Sequence, residues 1–184
     1  MNKYIESIFY HDGLKCCVIF TILGHRCGYV GIPKDHPLYG IKHSQDMQSP
    51  ELLQELKSTH IGKRGILDIF CWDGEATTPA ILFDVHGGIT YSGGGTTYPL
   101  LQVEPMWWYG FDCSHTGDAK DWDTLEKLVE KKKWEPLWKI EQMYPVDGDV
   151  VRTNEYVKEE CKTLASKIKC VGELLLQTRL QIMA

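Results

Sequence analysis

Residues 14–32 read LKCCVIFTILGHRCGYVGI, and this stretch predicts the centre of the fold. Its first part, residues 14–23, is rich in Val, Ile, Phe and Thr and has a glycine on each side, a pattern typical of a buried strand. Residues 28–32 form a second short apolar run, which Pro33 stops, and they are the expected hairpin partner of the first strand. The sequence therefore predicts an antiparallel sheet built on this pair.

The C-terminal segment carries the clearest helical pattern. Apolar side chains recur there at alternating steps of four and three residues, at Val157, Cys161, Leu164, Ile168, Val171 and Leu175. With Asn154 as the expected N-cap, the spacing predicts a helix of about 25 residues that crosses the sheet with this stripe inward. The same stripe could instead form the seam of a homodimer.

Further elements complete the predicted architecture. Two short strands are expected at residues 80–85 and 88–91, hinged at His86-Gly87, followed by a glycine-rich loop at 92–97 and a strand at 103–111. In that last strand, alternation places Trp107 and Tyr109 on one face and Trp108 on the other. Shorter helices are expected at residues 49–57 and 121–133. Strands first and a long helix last predict one α+β domain over residues 1–184.

Composition narrows the class of protein. The 184 residues are 43% hydrophobic and 24% charged, as in an ordinary soluble globular domain, and the first residues do not resemble a signal peptide. The net charge of −5 argues against nucleic-acid binding by bulk electrostatics, although a local basic patch stays open. None of the seven cysteines forms a C-x-x-C pair, which favours reduced thiols in a cytoplasmic protein over disulfides or a zinc ribbon.

Candidate site residues gather in three polar stretches, at residues 31–40, 84–92 and 112–118. Each stretch follows or interrupts a predicted strand, so the three loops could open on one edge of the sheet. The candidate ligand-binding residues are His36, Tyr39, His86, Gly87, Gly88, Tyr91, Asp112, His115 and Asp118.

Two kinds of chemistry are possible in these stretches. Asp112, His115 and Asp118 could hold a divalent metal, with His86 or His36 as a further ligand, and a metal-bound water there would suit phosphodiester hydrolysis. The alternative is that residues 115–118 simply form a turn after a strand. A nucleophilic pair of Cys113 and His115 is the weaker interpretation, because it lacks an oriented base and an oxyanion hole. No complete catalytic signature is present, so the sequence favours a protein without catalytic residues or a bound cofactor.

Four motifs and a C-terminal set resemble a known group of proteins. The motifs are GYVG at residues 28–31, HPLYG at 36–40, VHGGITY at 85–91 and WWYGFDCSH at 107–115, and Arg152, Tyr156, Val157, Glu160 and Cys161 complete the set. This set resembles a family of small proteins encoded by bacteriophages and integrated mobile elements. The resemblance implies an accessory protein in the host cytoplasm that inhibits a defence system by binding.

The expected partner is a Cas9-type nuclease complexed with its guide RNA, which an anti-CRISPR protein would bind. The length and acidity of the chain fit that role. The alternative is a small nucleotide-binding protein, or a metal-dependent phosphodiesterase, that uses the His/Asp pocket.

Overall fold

The computed structural model describes residues 3–49, 77–143 and 148–183. These residues form an α+β domain in which a five-stranded antiparallel sheet has the order β1-β2-β3-β5-β4. The strands are β1 Lys3–His11, β2 Leu14–Thr21, β3 Arg26–Ile32, β4 Tyr91–Gly95 and β5 Met106–Asp112. A separate parallel pair consists of β6 Asp118–Ala119 and β7 Val150–Val151. The helices are α1 Pro79–Leu82, α2 Trp122–Leu128, α3 Lys131–Met143 and α4 Asn154–Met183.

The predicted hairpin of β2 and β3 is confirmed, and it lies at the centre of the sheet. Sequence reasoning missed β1, which pairs with β2 through a two-residue turn at Asp12-Gly13. The φ angles of these two residues are 49° and 79°, and positive values at both positions are what a type I′ hairpin turn requires.

Helix α4 packs its predicted stripe onto one face of the sheet. Val157, Cys161, Leu164 and Ile168 are fully buried there, so these four residues belong to the core rather than to a homodimer seam. The helix is 30 residues long, and its N-terminal N–H groups are capped by Thr153, whose Oγ1 accepts from the Tyr156 N–H at 3.2 Å. The prediction of Asn154 as the cap is therefore wrong; its Oδ1 accepts instead from the Ser7 hydroxyl, at 2.9 Å.

The two faces of the sheet carry separate clusters of buried side chains. Trp107 and Tyr109 pack on the α4 face, whereas Trp108 packs on the opposite face with Tyr29 and Leu100. The predicted division of the aromatic run between the two faces is thus confirmed.

Three predicted elements need correction. The strand at residues 80–85 is wrong: residues 79–82 form α1, because Thr78 caps the Ile81 N–H and a proline occupies the first turn. The predicted loop at residues 92–97 is wrong for its first part, because backbone pairing with β5 continues to residue 95. The strand predicted at residues 88–91 begins only at Tyr91.

The helix expected at residues 121–133 is interrupted at Val129, where the backbone is extended, so two helices form. The helix expected at residues 49–57 falls almost entirely outside the described residues. No helix in the described parts of the chain has both the length and the hydrophobicity needed to cross a membrane.

Candidate functional site

The structure brings together most of the predicted site residues near the start of α4. His86, Gly87, Asp112, His115 and Asp118 lie within one network of short contacts. We call the set of His86, His115, Asp118, Arg152, Tyr156 and Glu160 the His86–Asp118 cluster.

Asp118 is the centre of this cluster, with a side chain only 1% exposed. Its Oδ1 accepts from Arg152 Nε at 2.7 Å, and its Oδ2 accepts from His86 Nε2 at 2.7 Å and from the His115 backbone N–H at 3.0 Å. Burial alone would raise the pKa of Asp118, but the hydrogen bonds from Arg152, His86 and His115 outweigh burial and hold the pKa below its ordinary value. The carboxylate is therefore charged at neutral pH.

His86 is held on every side by protein groups. It occupies a turn in which the Gly88 N–H donates to the Val85 carbonyl at 2.9 Å, and its own backbone N–H donates to Glu160 Oε2 at 2.8 Å. Its Nδ1 lies 3.0 Å from the Tyr156 hydroxyl. In the tautomer that donates from Nε2 to Asp118, Nδ1 accepts a hydrogen bond from the Tyr156 hydroxyl. Phenol, imidazole and carboxylate thus form one hydrogen-bonded chain.

Tyr156 and Arg152 close the outer side of the cluster. The Arg152 guanidinium carbon lies 5.1 Å from the centroid of the Tyr156 ring, which is a cation–π arrangement. Burial, followed by the nearby Glu160 carboxylate, raises the pKa of Tyr156. Tyr156 therefore stays a neutral phenol that can donate to His86.

His115 is the least satisfied member of the cluster. Its Nε2 is buried, has no hydrogen-bond partner among the described residues, and lies 3.7 Å from Asp112 Oδ1. The ring lies directly against Gly87, where an added Cβ would be 2.0 Å from that nitrogen. Gly87 also has a φ of 63°, so both the turn and the close approach of His115 require glycine here.

The arrangement does not favour the chemistry proposed for these residues from sequence. Within residues 3–49, 77–143 and 148–183, no three His, Cys, Asp or Glu side chains converge closely enough to hold a metal ion. Cys113 is 2% exposed, and burial followed by the charge of Asp118 raises its pKa to about 12. A thiol in that state is not an activated nucleophile.

Three predicted site residues lie elsewhere. His36 packs against Gly172, far along α4 from Tyr156, and its ring Nδ1 accepts from the Leu38 N–H at 3.2 Å. Tyr39 packs against Trp107, with ring centroids 6.2 Å apart. Tyr91 belongs to an aromatic group with Tyr29 and Tyr98, which packs on the face of the sheet opposite α4. The three polar stretches therefore do not open on a single pocket.

Sequence reasoning quoted Arg152, Tyr156 and Glu160 as motif residues but did not assign them to the site. The available signal was their spacing, since steps of four residues place all three on one side of a helix start. The sequence could not show that His86, which is 70 residues before Tyr156, lies against this side of the helix.

A second feature is a cavity of about 350 Å³ that is lined by residues of β6 and α3. Its lining residues are Asp118, Ala119, Lys120, Leu137, Ile140, Glu141 and Asp149. Glu141 pairs with Lys120 and accepts from Trp122 Nε1 at 2.9 Å, whereas Asp149 forms no ion pair with any described residue. Leu137, Ile140 and Met143 follow at steps of three on α3, and the last two are 58% and 72% exposed. We call these three residues and the cavity the α3 surface.

The two features differ in what they offer a binding partner. The His86–Asp118 cluster directs its charged groups at each other, whereas the α3 surface presents apolar side chains and a carboxylate that pairs with no described residue. Comparison with protein-family models, with curated proteins and with solved structures finds no match for this chain.

Proposed function

We propose that this chain is a binding protein of a phage or mobile element that inhibits a host defence nuclease, in the manner of an anti-CRISPR protein. The proposed target is a Cas9-type nuclease complexed with its guide RNA. The observation that carries the proposal is the α3 surface. Helix α3 buries none of its residues, and its exposed apolar side chains lie beside the cavity.

The chemistry of the α3 surface suits a basic protein. Asp149 lines the cavity without a partner among the described residues, and Leu137 and Ile140 supply apolar walls. An arginine or lysine of the partner could bury its aliphatic stem against these walls and pair its charge with Asp149. Nucleases that hold RNA and DNA carry such side chains, and the net charge of −5 favours approach to them.

The His86–Asp118 cluster supports binding over catalysis. Asp118 already accepts three hydrogen bonds from protein groups, and His86 already contacts Asp118, Tyr156 and Glu160. A catalytic base needs a free position within hydrogen-bond reach of a substrate. The cluster instead joins the loop after α1, the turn before β6 and the first turn of α4.

The test measures binding and nuclease inhibition with the purified chain and a Cas9–guide RNA complex. We expect co-elution with the complex and a loss of target DNA cleavage. Ile140→Asp together with Met143→Asp should weaken inhibition at least tenfold, because both charges fall within the proposed interface. Leu180→Asp is the matched control, since Leu180 is 70% exposed, nearly as much as Met143, but lies in the last turns of α4.

Two results would contradict the proposal. Absence of both binding and inhibition would exclude this target. Full inhibition by the Ile140→Asp and Met143→Asp variant would exclude the α3 surface as the interface.

One observation favours a second candidate, the nucleotide-binding protein or metal-dependent phosphodiesterase. The buried His115 Nε2 has no hydrogen-bond partner among the described residues, which is uncommon for a polar atom. Thermal shift measurements with adenine and guanine nucleotides, with and without Mn²⁺, test this candidate. Stabilisation that His115→Ala abolishes would support it, and an unchanged melting temperature with every nucleotide would exclude it.

A further inference from the structure

The outer edge of β1 is open over its second half. β1 is an edge strand of nine residues, and beyond its pairing with β2 its backbone makes no hydrogen bonds to other described segments. Residues of α2 and Asn154 line a cavity with Lys3, Tyr4, Ile5 and Glu6, so they flank only the first half of the strand. Every second residue between 7 and 11 therefore turns its backbone N–H and C=O groups to this open edge, where they can pair with another strand.

An apolar surface accompanies this open edge. Ile8 is opposite Cys17 and Ile5 is opposite Ile19, and both of these β2 side chains pack on the face of the sheet away from α4. Tyr10 shares the face of Ile8 by alternation, whereas Ile5 reaches it because the register shifts between Ile5 and Ser7. Residues 97–103 run along the same side, since Lys3 Nζ donates to the Thr97 carbonyl and Tyr10 lines a cavity with Val103.

The apolar surface is large enough to form part of an interface. Its large side chains are between 49% and 91% exposed: Ile5, Ile8, Tyr10, Leu101 and Val103. Together they expose on the order of several hundred Å² of apolar area, which is comparable with one side of a standard interface of about 800 Å² per partner.

We infer that two copies of this chain form a two-fold dimer by antiparallel pairing of β1 with β1, centred on Phe9. In this register Ile8 of one copy lies opposite Tyr10 of the other, and Ser7 lies opposite His11. Directly opposite residues of an antiparallel pair share a face, and this register satisfies that condition for residues 7–11. The irregularity between Ile5 and Ser7 ends the regular strand where the pairing would end.

Charges on α4 complement each other in the same arrangement. Ser7 bonds to Asn154 and Asp12 bonds to Ser166, so α4 runs alongside β1 with residues 159–162 near the level of Phe9. Lys162 Nζ lies 2.6 Å from Glu159 Oε1 on the exposed side of the helix. A two-fold axis through Phe9 brings the two α4 helices together in antiparallel orientation, so that Glu159 of each copy approaches Lys162 of the other.

The dimer is independent of the proposed function, because it uses β1 and α4 rather than the α3 surface. Light scattering after size exclusion, from about 1 to 100 µM protein, tests it. The wild-type chain should have twice the monomer mass. Ile8→Lys together with Tyr10→Lys should weaken self-association at least tenfold without unfolding the chain, because both side chains are exposed. Val150→Lys, at an exposed residue outside β1, should leave the dimer intact.

Cross-linking tests the register itself. In a chain with Cys71→Ser and Cys170→Ser, Ile8→Cys together with Tyr10→Cys should give disulfide-linked dimers on mild oxidation. The same cysteine pair placed at Ile5 and Ile8 should not. A monomeric wild-type chain at 100 µM, a dimer unaffected by the two lysine substitutions, or equal cross-linking at both cysteine pairs would overturn the inference.

Discussion

Replacement of Asp118 by alanine should destabilise the domain more than any surface substitution of a carboxylate. The side chain is 1% exposed and accepts hydrogen bonds from Arg152, His86 and the His115 backbone. Without the carboxylate, a mostly buried imidazole and one buried backbone N–H lose their acceptor. Arg152 loses its ion-pair partner but is 27% exposed, so water can solvate part of its charge.

The magnitude follows from these three contacts. Removing one partner of a buried charged pair costs about 3–5 kcal/mol when the other charge stays buried. Because the Arg152 charge can partly regain water, the lower part of that range applies, and we expect a loss of about 3 kcal/mol. Asp118→Asn retains an acceptor oxygen but removes the charge, so its loss should be smaller, about 1–2 kcal/mol. Against a typical stability of about 5–15 kcal/mol, either change is measurable.

Urea unfolding followed by tryptophan fluorescence provides the assay, since the chain contains six tryptophans. Measurements at several pH values separate charge from packing. The pKa of Asp118 is lowered on folding, so its charge stabilises the native state fully above the ordinary carboxyl pKa near 4. That contribution disappears as the pH falls through the lower native pKa. The difference between wild type and Asp118→Asn should therefore shrink as the pH falls below about 4.

The matched control is Asp149→Ala, which removes a carboxylate that pairs with no described residue. It should change the unfolding free energy by less than about 0.5 kcal/mol. A loss below about 1 kcal/mol for Asp118→Ala, or a difference for Asp118→Asn that does not shrink in acid, would refute the reasoning.

Three further predictions concern single side chains near the cluster. Gly87→Ala should lower the free energy of unfolding in urea by about 2–4 kcal/mol, because φ is positive and the new Cβ meets His115. Adding His115→Ala should recover part of this loss, and no recovery would contradict the contact. Cys113 should resist a thiol reagent in the native protein at pH 8 while the exposed Cys170 reacts, as peptide mass spectrometry would show; equal labelling would contradict its burial. Burial lowers the pKa of His25, so the native state binds fewer protons than the unfolded chain, and stability should fall as the pH drops below about 6.5. His25→Asn should reduce that slope, and an unchanged slope would show that other groups cause it.

The parts of the fold that sequence predicted are those whose side chains carry a strong local period. β2 is apolar at nearly every position because both faces of the sheet are covered there, and α4 has an uninterrupted stripe. β1 lacks such a signal, since Ile5, Ile8 and Tyr10 point away from the core and an irregularity breaks the alternation. The clearest sequence signal for β1 is the Asp12-Gly13 turn that follows it, rather than the pattern of the strand itself.

Elements that depend on backbone contacts were the hardest to predict. Gly93 and Gly94 belong to a strand because β5 supplies their hydrogen-bond partners, and the missing side chains leave room for the Tyr91 hydroxyl and the Trp107 ring. A strand of this kind has almost no pattern of its own. The same applies to the site, where Arg152 and Tyr156 acquire their roles only from His86 and Asp118 across the fold.

The His86–Asp118 cluster also gives a structural role to two of the four sequence motifs. VHGGITY and WWYGFDCSH place His86 and His115 at the cluster, and the C-terminal set adds Arg152, Tyr156 and Glu160. Because these residues bind one another, contacts within the fold account for the side chains of these motifs that lie in the cluster. The α3 surface and the open half of β1 both lie outside these motifs. This is why the proposed tests place their substitutions at Ile140 and Ile8 rather than in the motifs.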